Sequence, residues 1–197
     1  MGSSRSRRLH RRGARGQGLV EFALVAPLLI ALAFGVFDFG RGMSANVTVT
    51  NSSREGARYL SAVASSYTSS SSYYGSACPG GTASAPTAPS DPSAQSKAWR
   101  QLAGANLDLT QVTMTAYFYA SSKDPSADTS HTNYDLRVTC TVGGSPTLTL
   151  GSNPSYAPQT GDWVQFEVKY TFTPTTPVIK QLTPTVTMDQ TTNMVLE

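Results

Sequence analysis

Between Phe22 and Phe37 the chain carries no charged side chain, and the wider stretch Leu19–Phe39 has about the ~20 residues that a bilayer-crossing helix needs. No other feature restricts the fold as much. Six arginines (Arg5, Arg7, Arg8, Arg11, Arg12 and Arg15) precede the stretch, and only Arg41 follows closely. The positive-inside rule then keeps the N-terminus in the cytoplasm and sends everything after about residue 42 outside. One residue fits the span badly. Glu21 lies just within the apolar run, and a bare acid near the bilayer centre costs roughly 2.5–3.5 kcal/mol, less near the interface. Snorkelling to the headgroups is a sufficient account of such an acid by itself.

The six arginines also govern the charge balance. The net charge is +3, but the first sixteen residues hold six of the fifteen basic groups and no acid. The remainder has nine basic against twelve acidic residues, a balance of −3. The folded part is therefore mildly acidic, and nucleic-acid binding is not indicated. Charged residues amount to 14% of the chain, well under the ~25% of an average soluble domain, as suits an exported β-rich protein. Two cysteines, Cys78 and Cys140, fall in the exported part, where an oxidising compartment favours a disulfide over two free thiols.

Four segments follow. Residues 1–16 form a basic leader. Residues 17–64 read as a single helix, from Leu19 to about Ala64, that leaves the membrane and continues with Met43, Val47, Ala57, Leu60 and Ala64 at helical spacing. The β-branched centre Val47-Thr48-Val49-Thr50 works against that assignment. Pro27 lacks the N–H that would bond the Ala23 carbonyl, which predicts a kink. Gly35, Gly40 and Gly42 would let another helix approach closely. Residues 65–94 are rich in Ser, Gly and Pro and read as a loop.

Residues 95–197 read as an extracytoplasmic α+β domain. A short helix, Ala94–Ala105, presents Trp99 and Leu102 on one face. Three strands are expected over 109–120, 134–142 and 162–172, and a last one from Thr185 to about Leu196. In the second, Tyr134, Leu136, Val138, Cys140 and Val142 alternate with Asp135, Arg137, Thr139 and Thr141. In the third, Val164, Phe166, Val168, Tyr170 and Phe172 face a core, opposite Gln165, Glu167, Lys169 and Thr171. Such alternation belongs to an antiparallel sheet with one covered face, and the long helix is the natural cover. A Pro-bounded linker, TPTTPVIKQLTP, separates the last two strands.

No catalytic constellation is present. The chain has no G-x-S-x-G, H-E-x-x-H, Walker-type or G-x-G-x-x-G motif, so neither an enzyme nor a cofactor is expected. The cysteine and histidine spacing matches no zinc site, and Asp124, Asp128 and Asp135 do not match a calcium loop. They read as a hydrated turn, with His131 as a solvated loop residue.

What carries chemistry is the head of the helix: Gly16-Gln17-Gly18-Leu19-Val20-Glu21-Phe22. A basic tail, a glycine and a glutamate five residues later, opening an apolar helix, form the pattern of a type IV prepilin-like processing site. The stretch RGQGLVEFALVAPLLIALAFGVFDFGRG, followed by NSSREGARYLS, resembles the TadE-like minor pilins (pseudopilins) of bacterial tight-adherence (Flp) pili across about residues 13–62. GDWVQFEVKYTFTP and the closing VTMDQTTNMVLE resemble the family more weakly, and Gly18 stands where alanine is usual. The resemblance implies an α+β pilin-like fold and cleavage between Gly16 and Gln17 by a prepilin peptidase. It also implies partnership with other pilins and an assembly platform, and pairing of Glu21 with a freed N-terminal amine.

Three further readings accompany it. Ala31-Leu32-Ala33 is a triplet that a signal peptidase could use. Asp38 reads as an interfacial charge pairing with Arg41. Arg54, Glu55 and Arg58 read either as a solvated helix face or as a docking surface for the sheet. The functional alternative to a pilus role is a membrane-anchored adhesin with Tyr67, Tyr73 and Tyr74 as contact surface.

Overall fold

A helix of 51 residues dominates the N-terminal half. The computed structural model describes residues 13–63, 80–82, 85–87, 94–105, 107–141, 147–151, 153, 155–182 and 185–197. Helix α1 (Gly13–Val63) passes through Pro27 and through the VTVT centre without a break in assignment. The β-branched residues are accommodated by back-bonding, with the Thr48 hydroxyl donating to the Ser44 carbonyl at 2.9 Å and that of Thr50 to Asn46 at 2.8 Å. The helix starts earlier than the apolar pattern predicts, so the end of the basic leader is already helical.

The chain divides into two compact units, Met1–Arg41 with Pro174–Pro184 and Gly42–Thr173 with Thr185–Glu197. The larger unit is α+β. Among the described residues its sheet has five antiparallel strands in the order β5-β4-β3-β6-β7: β3 (Val112–Tyr119), β4 (Leu136–Thr141), β5 (Thr147–Leu150), β6 (Trp163–Phe172) and β7 (Val186–Val195). A separate hairpin pairs β1 (Gly80–Thr82) with β2 (Ala85–Thr87), inside the segment whose composition reads as a loop. Helix α2 (Ala94–Ala103) ends two residues before the expected stop, where Gly104 donates its N–H to the Arg100 carbonyl. Leu109–Gln111 are a 3-10 turn capped by Asp108, so the first long strand begins at Val112.

The register explains the core. Across β4, β3 and β6, Val138, Ala116 and Phe166 lie in one row, and Cys140, Met114 and Val168 in the next. All six are fully buried. Over this face lies the second half of α1, which turns Ala45, Val49, Ser52, Ser53, Ala57 and Leu60 into the core at spacings of three and four. Four of these six side chains are Ala or Ser, which lets the helix lie close to the sheet. The hydroxyls also tie it down, Ser52 to the Ala98 carbonyl of α2 at 2.9 Å and Ser53 to Thr192 of β7 at 2.9 Å. At the C-terminus the Glu197 N–H donates to the Ser61 carbonyl at 2.9 Å.

The REGAR motif docks through its small residues. Gly56 and Ala57 are buried, while Glu55 and Arg58 pair with each other at 3.0 Å on the exposed side. A Cβ added at Gly56 would fall within the van der Waals envelope of the Phe166 ring. Gly56→Ala is therefore expected to cost about 1–3 kcal/mol through overpacking, read as a lowered melting temperature. An unchanged melt would show that helix and sheet are not held at this distance.

Candidate functional site

The smaller unit contains the apolar part of α1. Leu19, Phe22, Leu24, Leu28, Phe34 and Phe37 are among the most exposed large side chains described, each at least half exposed. Among the described residues one helix, Gly16–Ala62, is long and apolar enough to cross a membrane, and none of its apolar window is buried within the protein. A fully exposed apolar surface of this size needs a lipid or protein environment. Glu21 is exposed on it, and the Gln17 side-chain amide donates to its Oε1 at 3.3 Å. Gly16 is helical and exposed, with open space around its Cβ position. The structure thus brings Gln17 and Glu21 together on one face, one turn apart.

Asp38 has a larger role than pairing with Arg41. That ion pair exists at 3.5 Å, but Asp38 is only 4% exposed and accepts the backbone N–H groups of Thr176 at 3.0 Å and Thr175 at 3.3 Å. Arg41 also donates to the Thr175 hydroxyl. These contacts hold residues 174–182 on α1. The sequence reads that segment as linker, but it contains helix α3 (Pro177–Leu182), whose first bond runs from the Lys180 N–H to the Thr176 carbonyl at 2.9 Å. Nothing local in the sequence links Asp38 to residues 137 and 138 positions away.

On the sheet, the face opposite α1 departs from expectation. Tyr117, Tyr119, Gln165 and Glu167 point away from the helix, yet each is at most 6% exposed. Residues 120–135 fold back over them. His131 stacks on Tyr117 with ring centroids 4.5 Å apart and 14° between planes, and its Nε2 lies 3.5 Å from Glu167 Oε1. Lys169 approaches the same carboxylate at 3.0 Å. The expectation of a solvated histidine is corrected by this stacking. Burial pushes the Tyr117 hydroxyl up to about 12, and raises Tyr119 as well.

The aspartates of this excursion are structural rather than a loosely hydrated turn. Asp124 caps the 3-10 turn Pro125–Ala127 through the Ser126 N–H. Asp135, 3% exposed, accepts from the Ala120 N–H at 2.9 Å and from Lys123 Nζ at 2.7 Å. It therefore does not stand on the open face that strict alternation gives it, because β4 begins only at Leu136. Tyr134 correspondingly tilts against Tyr117 on the outer face instead of joining the apolar set. Burial disfavours the Asp128 charge, but the N–H groups of Asn133 at 2.7 Å and Thr132 at 3.1 Å outweigh it and hold its pKa below the usual value.

Cys140 is fully buried on the core face of β4, opposite Met114, and is disulfide-bonded. Cys78 lies outside the described residues, as do Tyr67, Tyr73 and Tyr74. Among the described residues no group of three or more His, Cys, Asp or Glu could hold a metal ion.

A candidate span followed by an antiparallel α+β domain defines the class. Residues 16–58 match the family model described as TadE-like protein, so this segment is similar to that family. No curated protein and no solved structure matches the chain. The match is confined to the first helix, within the segment that holds the candidate span.

Because the folded state lowers the Asp128 pKa, its contribution to stability is present above the unfolded value of about 4 and is lost as pH falls through the folded value. Asp128→Asn is expected to lower the melting temperature at pH 7 and to differ little from the parent at pH 3. Equal differences at both pH values would show that the charge is not what matters.

Proposed function

We propose that the chain is a minor pilin or pseudopilin that contributes to assembly of a tight-adherence, type IV-like pilus. The observation that carries this reading is the head of α1. The match to the family opens at Gly16, where a glycine and a glutamate five residues apart begin a helix with a fully exposed apolar surface. A prepilin peptidase would cut between Gly16 and Gln17 on the cytoplasmic side. Glycine suits the scissile position because its unhindered backbone enters a protease cleft in extended form. Gly16 lies in the first turn of α1, where four N–H groups lack intrahelical partners and unwinding is least costly.

Cleavage would free an ammonium group at Gln17, one turn from Glu21. The contact already present between the Gln17 amide and Glu21 supports that proximity. The freed amine, or that of a neighbouring subunit, would offset the cost of an acid in hydrocarbon. A requirement for a neighbour's cation would favour subunits packed in register. The remaining exposed apolar surface of α1 would meet lipid before assembly and other pilins, with their assembly platform, after it. The N-terminus would lie in the cytoplasm and the sheet domain outside. There Cys78 and Cys140 would be oxidised to one disulfide, tying the Ser-rich segment to β4.

N-terminal sequencing of the mature chain tests the processing step. Gln17 is the expected first residue; Phe34 would indicate a signal peptidase and Met1 a plain anchor. Gly16→Leu is expected to leave the leader attached. Glu21→Ala is expected to abolish co-purification with other pilins while leaving cleavage and the fold intact, and unchanged piliation would refute the pairing role. In the entropic account, Cys78→Ser removes a cross-link that closes a loop of roughly 60 residues and costs about 4 kcal/mol at most. An identical denaturant midpoint for that variant and its parent would exclude the pairing.

A further inference from the structure

The strap 174–182 carries an inference beyond anchoring by the apolar helix alone. Ile179 Cδ1 lies 3.9 Å from the Cβ position of Gly35, so α3 is level with the last turn of the charge-free stretch Phe22–Phe37. Gly35 is four residues, or about 6 Å at 1.5 Å per residue, below Phe39. If the hydrocarbon ended below Gly35 to leave the strap in water, the span from Leu19 would keep about 17 residues or fewer, the lower limit for crossing. The strap therefore enters the membrane boundary together with α1.

Backbone at that depth must have its polar groups satisfied by the protein. This accounts for Asp38. Its buried carboxylate takes the N–H groups of Thr175 and Thr176, the last two residues before α3 that are not helical, and Arg41 offsets its charge. Between strap and helix runs a groove of about 540 Å³, lined by Pro27, Ile30, Ala31, Phe34 and Phe37 and closed on one side by Pro177. Pro27 to Phe37 is ten residues, about 15 Å along the axis. That length is half of the ~30 Å hydrocarbon core, the depth of one leaflet. The groove is continuous with the exposed apolar surface of the span, and its Phe37 end lies beside Thr175 and Thr176, next to the Asp38–Arg41 pair.

We propose that this groove is a lipid site: it takes one acyl chain of an outer-leaflet phospholipid, with the headgroup at the Phe37 end, and the strap is a second membrane contact. The proposal rests on the reading of α1 as a membrane span. The test reconstitutes the full chain in vesicles containing phosphatidylglycerol with a photoactivatable diazirine in its acyl chain, and maps labelled peptides after irradiation. Label is expected on both 27–37 and 174–182. Ala31→Trp, which fills the groove from an exposed helix position, is expected to lower labelling of 174–182 severalfold while labelling of Leu19–Val25 persists. Label confined to α1 would mean ordinary annular lipid and would overturn the site while leaving the span intact. In a parallel sample with a photoactivatable amino acid in place of Phe34, chain-to-chain cross-links without lipid label on 174–182 would assign the groove to a second copy instead. An absence of label on any part of α1 would overturn the membrane reading itself.

Discussion

The close approach of α1 to the sheet is the contact on which the larger unit depends. Gly56 sits against the ring of Phe166, and Phe166 lies on the strand that pairs with both β3 and β7. With Ala45, Ser52, Ser53 and Ala57 beside it, the helix presents a face with little side-chain bulk, and the sheet supplies the volume. That division fixes the distance between the layers. It also lets Ser52 and Ser53 reach partners on α2 and β7 that longer side chains would hold off. The loss of a helix-favourable alanine at position 56 is small beside this packing gain, since glycine costs only ~1 kcal/mol in a helix.

Much of this organisation is legible in the sequence because it is periodic. The alternation in DWVQFEVKYTF places Val164, Phe166, Val168, Tyr170 and Phe172 on the core face, where they are found. The apolar run at the head of α1, the burial of Trp99 and Leu102 and the inward side of Cys140 follow from the same reasoning. The match over residues 16–58 rests on the same stretch that raised the resemblance.

What was not legible depends on distant partners. Asp38 is polar in an apolar run, and its nearest sequence partner, Arg41, hid its bonds to Thr175 and Thr176. His131, Asp128 and Asp135 belong to a turn-like composition, and no local pattern says that the turn folds back over Tyr117 and Glu167. Alternation predicts which side of a sheet a residue faces, but not whether that side is then covered. The head of α1 differs again: Gln17 and Glu21 adjoin through simple i, i+4 geometry, while the amine that gives the pair its proposed use exists only after cleavage.

Strand β7 has a consequence of another kind. It is ten residues long, pairs with β6 along its whole length and forms one margin of the sheet. A margin that long offers a template for strand addition by another chain, which proteins blunt with charge. Here Asp189 sits within the strand, 3.4 Å from Lys169 of β6, and is the one charged residue among Val186–Val195. The ion pair draws the carboxylate back onto the sheet, so the guard is weak, and among the described residues no further strand pairs with the Thr-rich margin. Crowding many copies side by side, as a filament or a concentrated preparation would, makes that margin the part of the domain most prone to adventitious β-pairing.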